Sequence, residues 1–207
     1  MSDHPAAAAP QSLTPEALRA LLSPVTLSAA GPSDCQASGV LVPLFWEGGE
    51  VHLVFTQRTA TVKHHQSQIS FPGGVADPGD PHLLATALRE SWEEIGLRPR
   101  DVEVLGMLQP TTTVTGFFIV PYVGRIPHPY AFRLNPREVA RLLTIPLAAF
   151  FPADRWRTGP YTYESRTILV CCWHLGDTCI WGATARLLLD LLSRLGKNPF
   201  GTTPCQD

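Results

Sequence analysis

A chain of 207 residues, 44 % hydrophobic and 16 % charged, carries enough apolar material for one domain of ordinary size. Its formal net charge of −2 gives no global attraction to nucleic acid, and no apolar run reaches the length of a bilayer span, so neither a nucleic-acid nor a membrane partner is expected. Residues 1–12, rich in Ala and Pro, lack both a basic and an apolar segment of the kind a secretory signal needs. They are expected as a flexible tail on a cytoplasmic protein, followed by a single domain over 13–196 and a second tail over 197–207. In chain order, "LTPEALRALLS" predicts a short helix with Thr14 as N-cap and Pro15 as its first residue. "SGVLVPLFW" and "EVHLVFTQR" predict two strands joined by Gly48-Gly49. A polar stretch from His64 ends in a tight turn at Phe71-Pro72-Gly73-Gly74, and the pattern over Leu83 to Leu97 predicts a helix. "VEVLGMLQP", "FFIVPYVGRI" and "RTILVCCWHL" predict further strands, and "ATARLLLDLLSRLG" a final apolar helix stopped by Gly196. Strands mixed with two or three helices imply a single α/β or α+β domain.

The five cysteines (Cys35, Cys171, Cys172, Cys179 and Cys205) form an odd count with no C-x-x-C spacing, which argues against a disulfide framework or a zinc site. They are expected as reduced thiols.

On the helix from Leu83 to Leu97, Leu84, Leu88, Ser91 and Ile95 share one face by their spacing. Glu90, Glu93 and Glu94 fall together on a roughly opposite face. Each like-charge pair at such spacing costs about 0.2–0.5 kcal/mol in an exposed helix. Two readings are open. The cluster is a solvated acidic surface, or it is a site for a hard divalent cation such as Mg²⁺ or Mn²⁺, which takes carboxylate oxygens and substrate phosphates into its shell. The upstream Pro-Gly-Gly turn, where the backbone can approach a ligand closely, and Asp77 and Asp80 in the loop that follows, favour the second. It is not a phosphate-binding P-loop, because no Gly-Lys-Ser/Thr follows.

"FPGGVADPGDPHLLATALRESWEEIGL" resembles the Nudix box of the Nudix hydrolases: Gly, five residues, Glu, seven residues, then Arg-Glu-apolar-x-Glu-Glu-x-Gly-apolar. Gly74 opens it, and Arg89, Glu90, Glu93, Glu94, Gly96 and Leu97 match its second half. Asp80 stands for the first Glu, separated from Arg89 by eight residues rather than seven, and Ser91 replaces an apolar position. The Asp and the extra residue resemble the coenzyme A pyrophosphatase branch, as does "VFTQRTATVKHHQSQISFPGG", in which Thr56, Arg58, His65, Gln68 and Phe71 to Gly74 fit that branch's preceding motif. Lys63 stands where Arg is usual and Ser67 where Gly is usual. "LNPREVARLLTIPLAAF" and "IWGATARLLLDLL" also look like later segments of the branch.

The resemblance implies an α/β/α sandwich with a mixed sheet between helices. It also implies metal-dependent hydrolysis of the diphosphate of coenzyme A or its thioesters, giving 3′,5′-ADP and 4′-phosphopantetheine or its acyl form. The alternatives are another nucleoside diphosphate derivative, such as ADP-ribose or a dinucleotide, and a non-catalytic binding module. In the implied site Glu90, Glu94 and Glu93 hold Mg²⁺ or Mn²⁺, and Glu93, Glu94 and Arg89 serve catalysis, with Arg89 orienting the glutamates by ion pairing. Arg58, Lys63, Gly73 and Gly74 line the substrate, the two cations being either phosphate contacts or ordinary surface charge. Asp80 reaches the metal shell through water or serves as a turn residue. The general base is a box glutamate or a later acid such as Glu138, for which a structural role is preferred. Phe117, Phe118, Trp156, Tyr161 and Tyr163 are available for stacking but are expected in the core.

Overall fold

The computed structural model describes residues 13–28, 30–59 and 68–201. Helix α1 spans Pro15–Leu21, and the Thr14 side chain accepts a hydrogen bond from the Ala17 N–H, as an N-cap should. Strands β1 (Gln36–Glu47) and β2 (Glu50–Arg58) form the expected hairpin, with both turn glycines at positive φ. Two short strands follow, β3 (Ile69–Ser70) and β4 (Gly73–Val75), and then helix α2 (Leu83–Ile95), ended by Gly96 in the left-handed conformation. Strands β5 (Glu103–Met107), β6 (Thr111–Thr112), β7 (Phe117–Arg125) and β8 (Val139–Pro146) complete the main sheet. Strands β9 (Trp156–Tyr163), β10 (Arg166–Leu175) and β11 (Thr178–Trp181) form a separate three-stranded sheet before helix α3 (Gly182–Arg194).

The main sheet is mixed. β1 runs parallel to β7 and antiparallel to β2, and the parallel pair is connected through α2, because parallel neighbours need a crossover. Alternation along the strands sorts the core into two layers. Leu41, Phe45 and Val54 face α2 through Leu83, Ala87 and Ile95. Val42, Leu44, Leu53 and Phe55 face the other way, toward Leu18 of α1, Leu22 just after it and the leucines of α3. The result is the expected α/β/α sandwich. No helix among the described residues is long and apolar enough to cross a membrane.

Three expectations change. The buried stripe of α2 is Leu83, Thr86, Ala87, Ser91, Glu94 and Ile95, while Leu84 and Leu88 are only partly buried. The helix is rotated toward its acidic side because it rests on Gly39 of β1, where a Cβ would stand 2.0 Å from the Leu83 carbonyl oxygen. Ser91 survives in that stripe by donating its hydroxyl to the Ala87 carbonyl at 2.7 Å. The segment after residue 155, read in sequence for one strand only, builds a second sheet. Finally, Cys35, Cys172 and Cys179 are free thiols but Cys171 is disulfide-bonded, so the expectation of five reduced thiols fails there. Linear spacing does not record which cysteines the fold brings together. Cys205 lies outside the described residues.

Candidate active site

β1 and β2 pair from Glu47↔Glu50 to Leu44↔Leu53 and then separate. The gap is filled by residues 69–75, with β3 on β2 and β4 on β1. This arrangement brings the Pro-Gly-Gly turn over the acidic side of α2. At Gly73, φ is +152° and a Cβ would stand 2.5 Å from the Gly39 carbonyl oxygen, so no side chain fits. A Cβ on Gly74 would stand 2.5 to 2.7 Å from the carboxylate group of Glu90. Gly73 thus lets the turn lie directly against β1, and Gly74 leaves the space in which the Glu90 carboxylate lies under β4.

The glutamates are not a solvated surface. The Glu94 side chain is 4 % exposed and that of Glu90 17 % exposed, whereas Glu93 is 50 % exposed. Glu94 accepts from the Gly73 N–H at 3.3 Å and faces Arg58, whose Nη1 is 3.7 Å from Oε1. Burial pushes the Glu94 carboxyl up to about 8, opposed by Arg58 and reinforced by the neighbouring charge of Glu90. Burial also raises Glu90, against the pull of Arg89.

Arg89 is the organiser of this helix face. Its Nη1 donates to Glu90 at 2.9 Å and to Glu93 at 3.0 Å, while its Nε and Nη2 grip Asp80, the latter at 2.9 Å. Nη2 also donates to the Val75 carbonyl at 3.2 Å, which ties the helix to the loop. Asp80 accepts in addition from the Thr86 hydroxyl and the Asp77 N–H. It therefore acts as a turn and clamp residue, one of the two roles its position allowed. The hydrogen bonds from Arg89 hold its carboxyl down at about 2.

That depression has a sign that can be checked. A carboxyl lowered from 3.8 to about 2 contributes stability that is fully present above pH ~3.8 and is lost as pH falls through about 2. Asp80→Asn is expected to cost on the order of 1–2 kcal/mol at neutral pH, allowing for solvent screening. In urea titrations the gap between variant and wild type should narrow between pH 4 and pH 2. A gap independent of pH would remove the ion pair as its cause.

A cavity of about 730 Å³ opens in front of these groups. Arg58, Gly73, Gly74, Glu90 and Glu94 line it, together with Gln68 and Glu138. Glu93 does not line it. The structure thus divides the glutamate trio into two cavity-facing members and one held outside by Arg89. Arg58 has its Nε buried without a hydrogen-bond partner among the described residues, while its Nη1 faces Glu94. Lys63, His64 and His65 lie outside the described residues.

Glu138, preferred as structural from sequence, makes a local hydrogen bond and also lines the cavity. Its Oε1 accepts from Asn135 Nδ2 at 3.1 Å, and its charge acts on both Glu90 and Glu94 across the cavity. It arrives there because β8 pairs with β2 in a register that sets Val139 opposite Arg58. No local pattern announces that pairing. Of the aromatic candidates, Phe117 and Tyr161 line the cavity, whereas Trp156 is buried in the core.

The donor set toward the cavity consists of carboxylate oxygens, the ligands preferred by Mg²⁺ and Mn²⁺. Among the described residues no group of three or more His, Cys, Asp or Glu side chains is already closed around one point as a metal site. The fit lies instead in the chemistry of the set. Two carboxylates one helical turn apart are held at raised pKa chiefly by burial, with the charge of Glu90 adding to the rise at Glu94 and those of Glu93 and Glu138 to the rise at Glu90, and a divalent charge would relieve both.

A family model described as NUDIX domain matches residues 36–157. An uncharacterized Nudix hydrolase, NudL, of Cronobacter sakazakii is 36 % identical over 168 residues, covering 78 % of this chain and 84 % of the relative. The protein of the same name from Photorhabdus laumondii is 33 % identical over 158 residues, covering 76 % and 84 %. Among solved structures, the NUDIX domain of Shewanella oneidensis NrtR complexed with ADP ribose is similar at a TM-score of 0.47 and 20 % identity, over 57 % of this chain and 79 % of that one. With a family model spanning more than half of the chain and relatives matched over most of their own length, the chain belongs to the Nudix hydrolase family.

Proposed function

We propose that this Nudix hydrolase cleaves the diphosphate linkage of coenzyme A or its thioesters with Mg²⁺ or Mn²⁺, releasing 3′,5′-ADP and 4′-phosphopantetheine or its acyl form. The observation that carries the reading is the pair Glu90 and Glu94, withdrawn from solvent yet opening on the same 730 Å³ cavity as Arg58. A cavity of that size accommodates a nucleotide-sized ligand.

Glu90 and Glu94 would hold the cation, and the chemistry it would supply there is Lewis-acid polarisation of the diphosphate and a water of lowered pKa. Arg89 fixes the Glu90 rotamer and anchors the helix to the Val75 carbonyl, and Glu93 acts through Arg89 rather than on the substrate. Arg58, a cation in the lining of the same cavity, holds a phosphate oxygen. Gly73 and Gly74 let the backbone approach the substrate, and Lys63 is assigned a second phosphate contact from its place in the branch motif. Glu138, on the facing strand, accepts the proton of the attacking water.

The test is product analysis after reaction of coenzyme A with Mg²⁺ in ¹⁸O-water. Equimolar 3′,5′-ADP and 4′-phosphopantetheine, one of them carrying the label, are expected, with no turnover in a chelator. Cleavage of ADP-ribose with coenzyme A left intact would replace the substrate assignment while keeping the chemistry. Failure to turn over either substrate with metal present would remove catalysis.

A further inference from the structure

The matched family segment ends at residue 157, and it contains the carboxylates, Arg89 and Arg58. The cavity does not end there. Its opposite wall comes from the three-stranded sheet and the start of α3. One face of that sheet, with Trp156, Cys171, Trp173 and Ile180, is buried in the core. The other carries Ile168 and Val170, two positions apart on β10 and so on the same side, with Tyr161 directly opposite Ile168 on β9. Trp181 joins them from β11, its ring 5.2 Å from that of Tyr161. All four line the cavity. A sheet with one face in the core ordinarily presents polar residues on the other. Here that face is aliphatic and aromatic where it meets the cavity.

The cavity is therefore bounded by carboxylates and the Arg58 guanidinium from α2 and the main sheet, and by hydrocarbon from the second sheet, with Thr184 and Arg186 of α3 also in its lining. A ligand whose diphosphate is held by the carboxylates and Arg58 reaches the apolar wall only if it carries a further arm, because both belong to one continuous space. The wall's shape says which part of a ligand it suits. Tyr161 and Trp181 are tilted at 50° and already in contact, so they leave no parallel slot to sandwich a base. Ile168 and Val170 carry no donor or acceptor to read a base edge.

We infer that the Tyr161–Ile168–Val170–Trp181 face is a subsite for an aliphatic arm, and that it sets a preference for diphosphate esters bearing an alkyl chain over the same diphosphate without one. This rests on the coenzyme A reading above and deepens it, by making the thioester rather than the free thiol the favoured form.

Binding and turnover are measured separately. In chelator, calorimetric titration of the wild type with octanoyl-CoA and with coenzyme A is expected to show at least tenfold tighter binding of the thioester, since each buried methylene contributes a few-fold. Tryptophan fluorescence should change with the thioester and much less with the free thiol, and the change should be lost in Trp181→Phe, which leaves the other four tryptophans in place. Ile168→Asp and the double variant Tyr161→Ala/Trp181→Ala should abolish the difference, leaving coenzyme A affinity within about threefold of wild type. With Mg²⁺ the same variants should raise KM for octanoyl-CoA about tenfold at nearly constant kcat. Circular dichroism confirms that the variants fold, and Ile168→Ser replaces either one that does not. Equal wild-type affinity for the two ligands, or equal loss for both in the variants, overturns the subsite whatever the turnover. Tight, wall-dependent thioester binding without hydrolysis would uphold the subsite and overturn the catalytic reading.

Discussion

Glu94→Gln is expected to reduce kcat on the order of 10²–10³-fold while making the metal-free protein more stable at alkaline pH. The two halves have one cause. Glu94 is 4 % exposed, and its carboxyl titrates at about 8 instead of the ordinary 4.5. A folded-state pKa raised in a carboxyl means that the folded chain keeps a proton the unfolded chain has released. The cost is absent below about pH 4.5, grows as pH rises, and is complete above about pH 8, where it is on the order of a few kcal/mol. Glutamine keeps the oxygen that accepts from Gly73 and removes the charge, so the variant escapes the cost. Thermal melts in chelator should coincide near pH 5 and separate by pH 9, with the variant the more stable. Mg²⁺ should raise the melting temperature of the wild type at pH 8 and leave the variant unmoved, because the amide oxygen is a poor substitute for a carboxylate ligand. A purely structural glutamate would give the reverse: lost stability at every pH and no response to the ion. Near-normal turnover in the variant would sink the ligand assignment.

This stability signature is invisible in the sequence, and the reason shows what sequence reading reaches. The i, i+3, i+4 spacing of Glu90, Glu93 and Glu94 is a local fact, and it predicts that the carboxylates are neighbours. The helix ends, the Thr14 cap and the Gly48-Gly49 hairpin are local in the same way, since each depends on residues within one or two turns. Which glutamate is buried depends on how α2 is rotated against the sheet. That rotation is set by Gly39, 44 residues before the start of the helix in sequence and in contact with it in space. The hydrophobic pattern alone placed the apolar face on Leu84 and Leu88, about one position away from the real contact. Glu138 and the Tyr161–Trp181 wall were harder still. Glu138 depends on the long-range pairing of β8 with β2, for which no short pattern exists, whereas β10 meets both neighbours through two-residue turns at 164–165 and 176–177, and what stays hidden there is which face of that sheet meets the cavity. Asp80 lay between these cases. Its departure from the family pattern was visible, and the structure adds that its carboxylate is bound to Arg89, Thr86 and Asp77.

The dependence of α2 on Gly39 leads to the largest expected effect on stability. In Gly39→Ala the new methyl would stand 2.0 Å from the Leu83 carbonyl oxygen and 2.8 Å from the Ala87 nitrogen. Both are backbone atoms of α2, so no rotamer change relieves the clash and the helix as a whole must move off β1. Overpacking against backbone costs about 3 kcal/mol or more, a large share of the roughly 5–15 kcal/mol that holds a domain together. Gly79→Ala is the matched control: the same methyl is added at a loop glycine with nothing within 4 Å and no positive φ. It should alter the urea midpoint by no more than the equivalent of about 0.5 kcal/mol. Any Gly39→Ala protein that folds should also lose activity beyond its loss of stability, because Glu90 and Glu94 travel with the helix while Gly73 and Gly74 stay with the sheet. A displacement on the order of 1 Å between such groups is enough for about a 10²-fold loss of rate. Folded protein with wild-type kcat would show that the helix can shift without disturbing the carboxylates, and the close seating of α2 on β1 would then not be what places them.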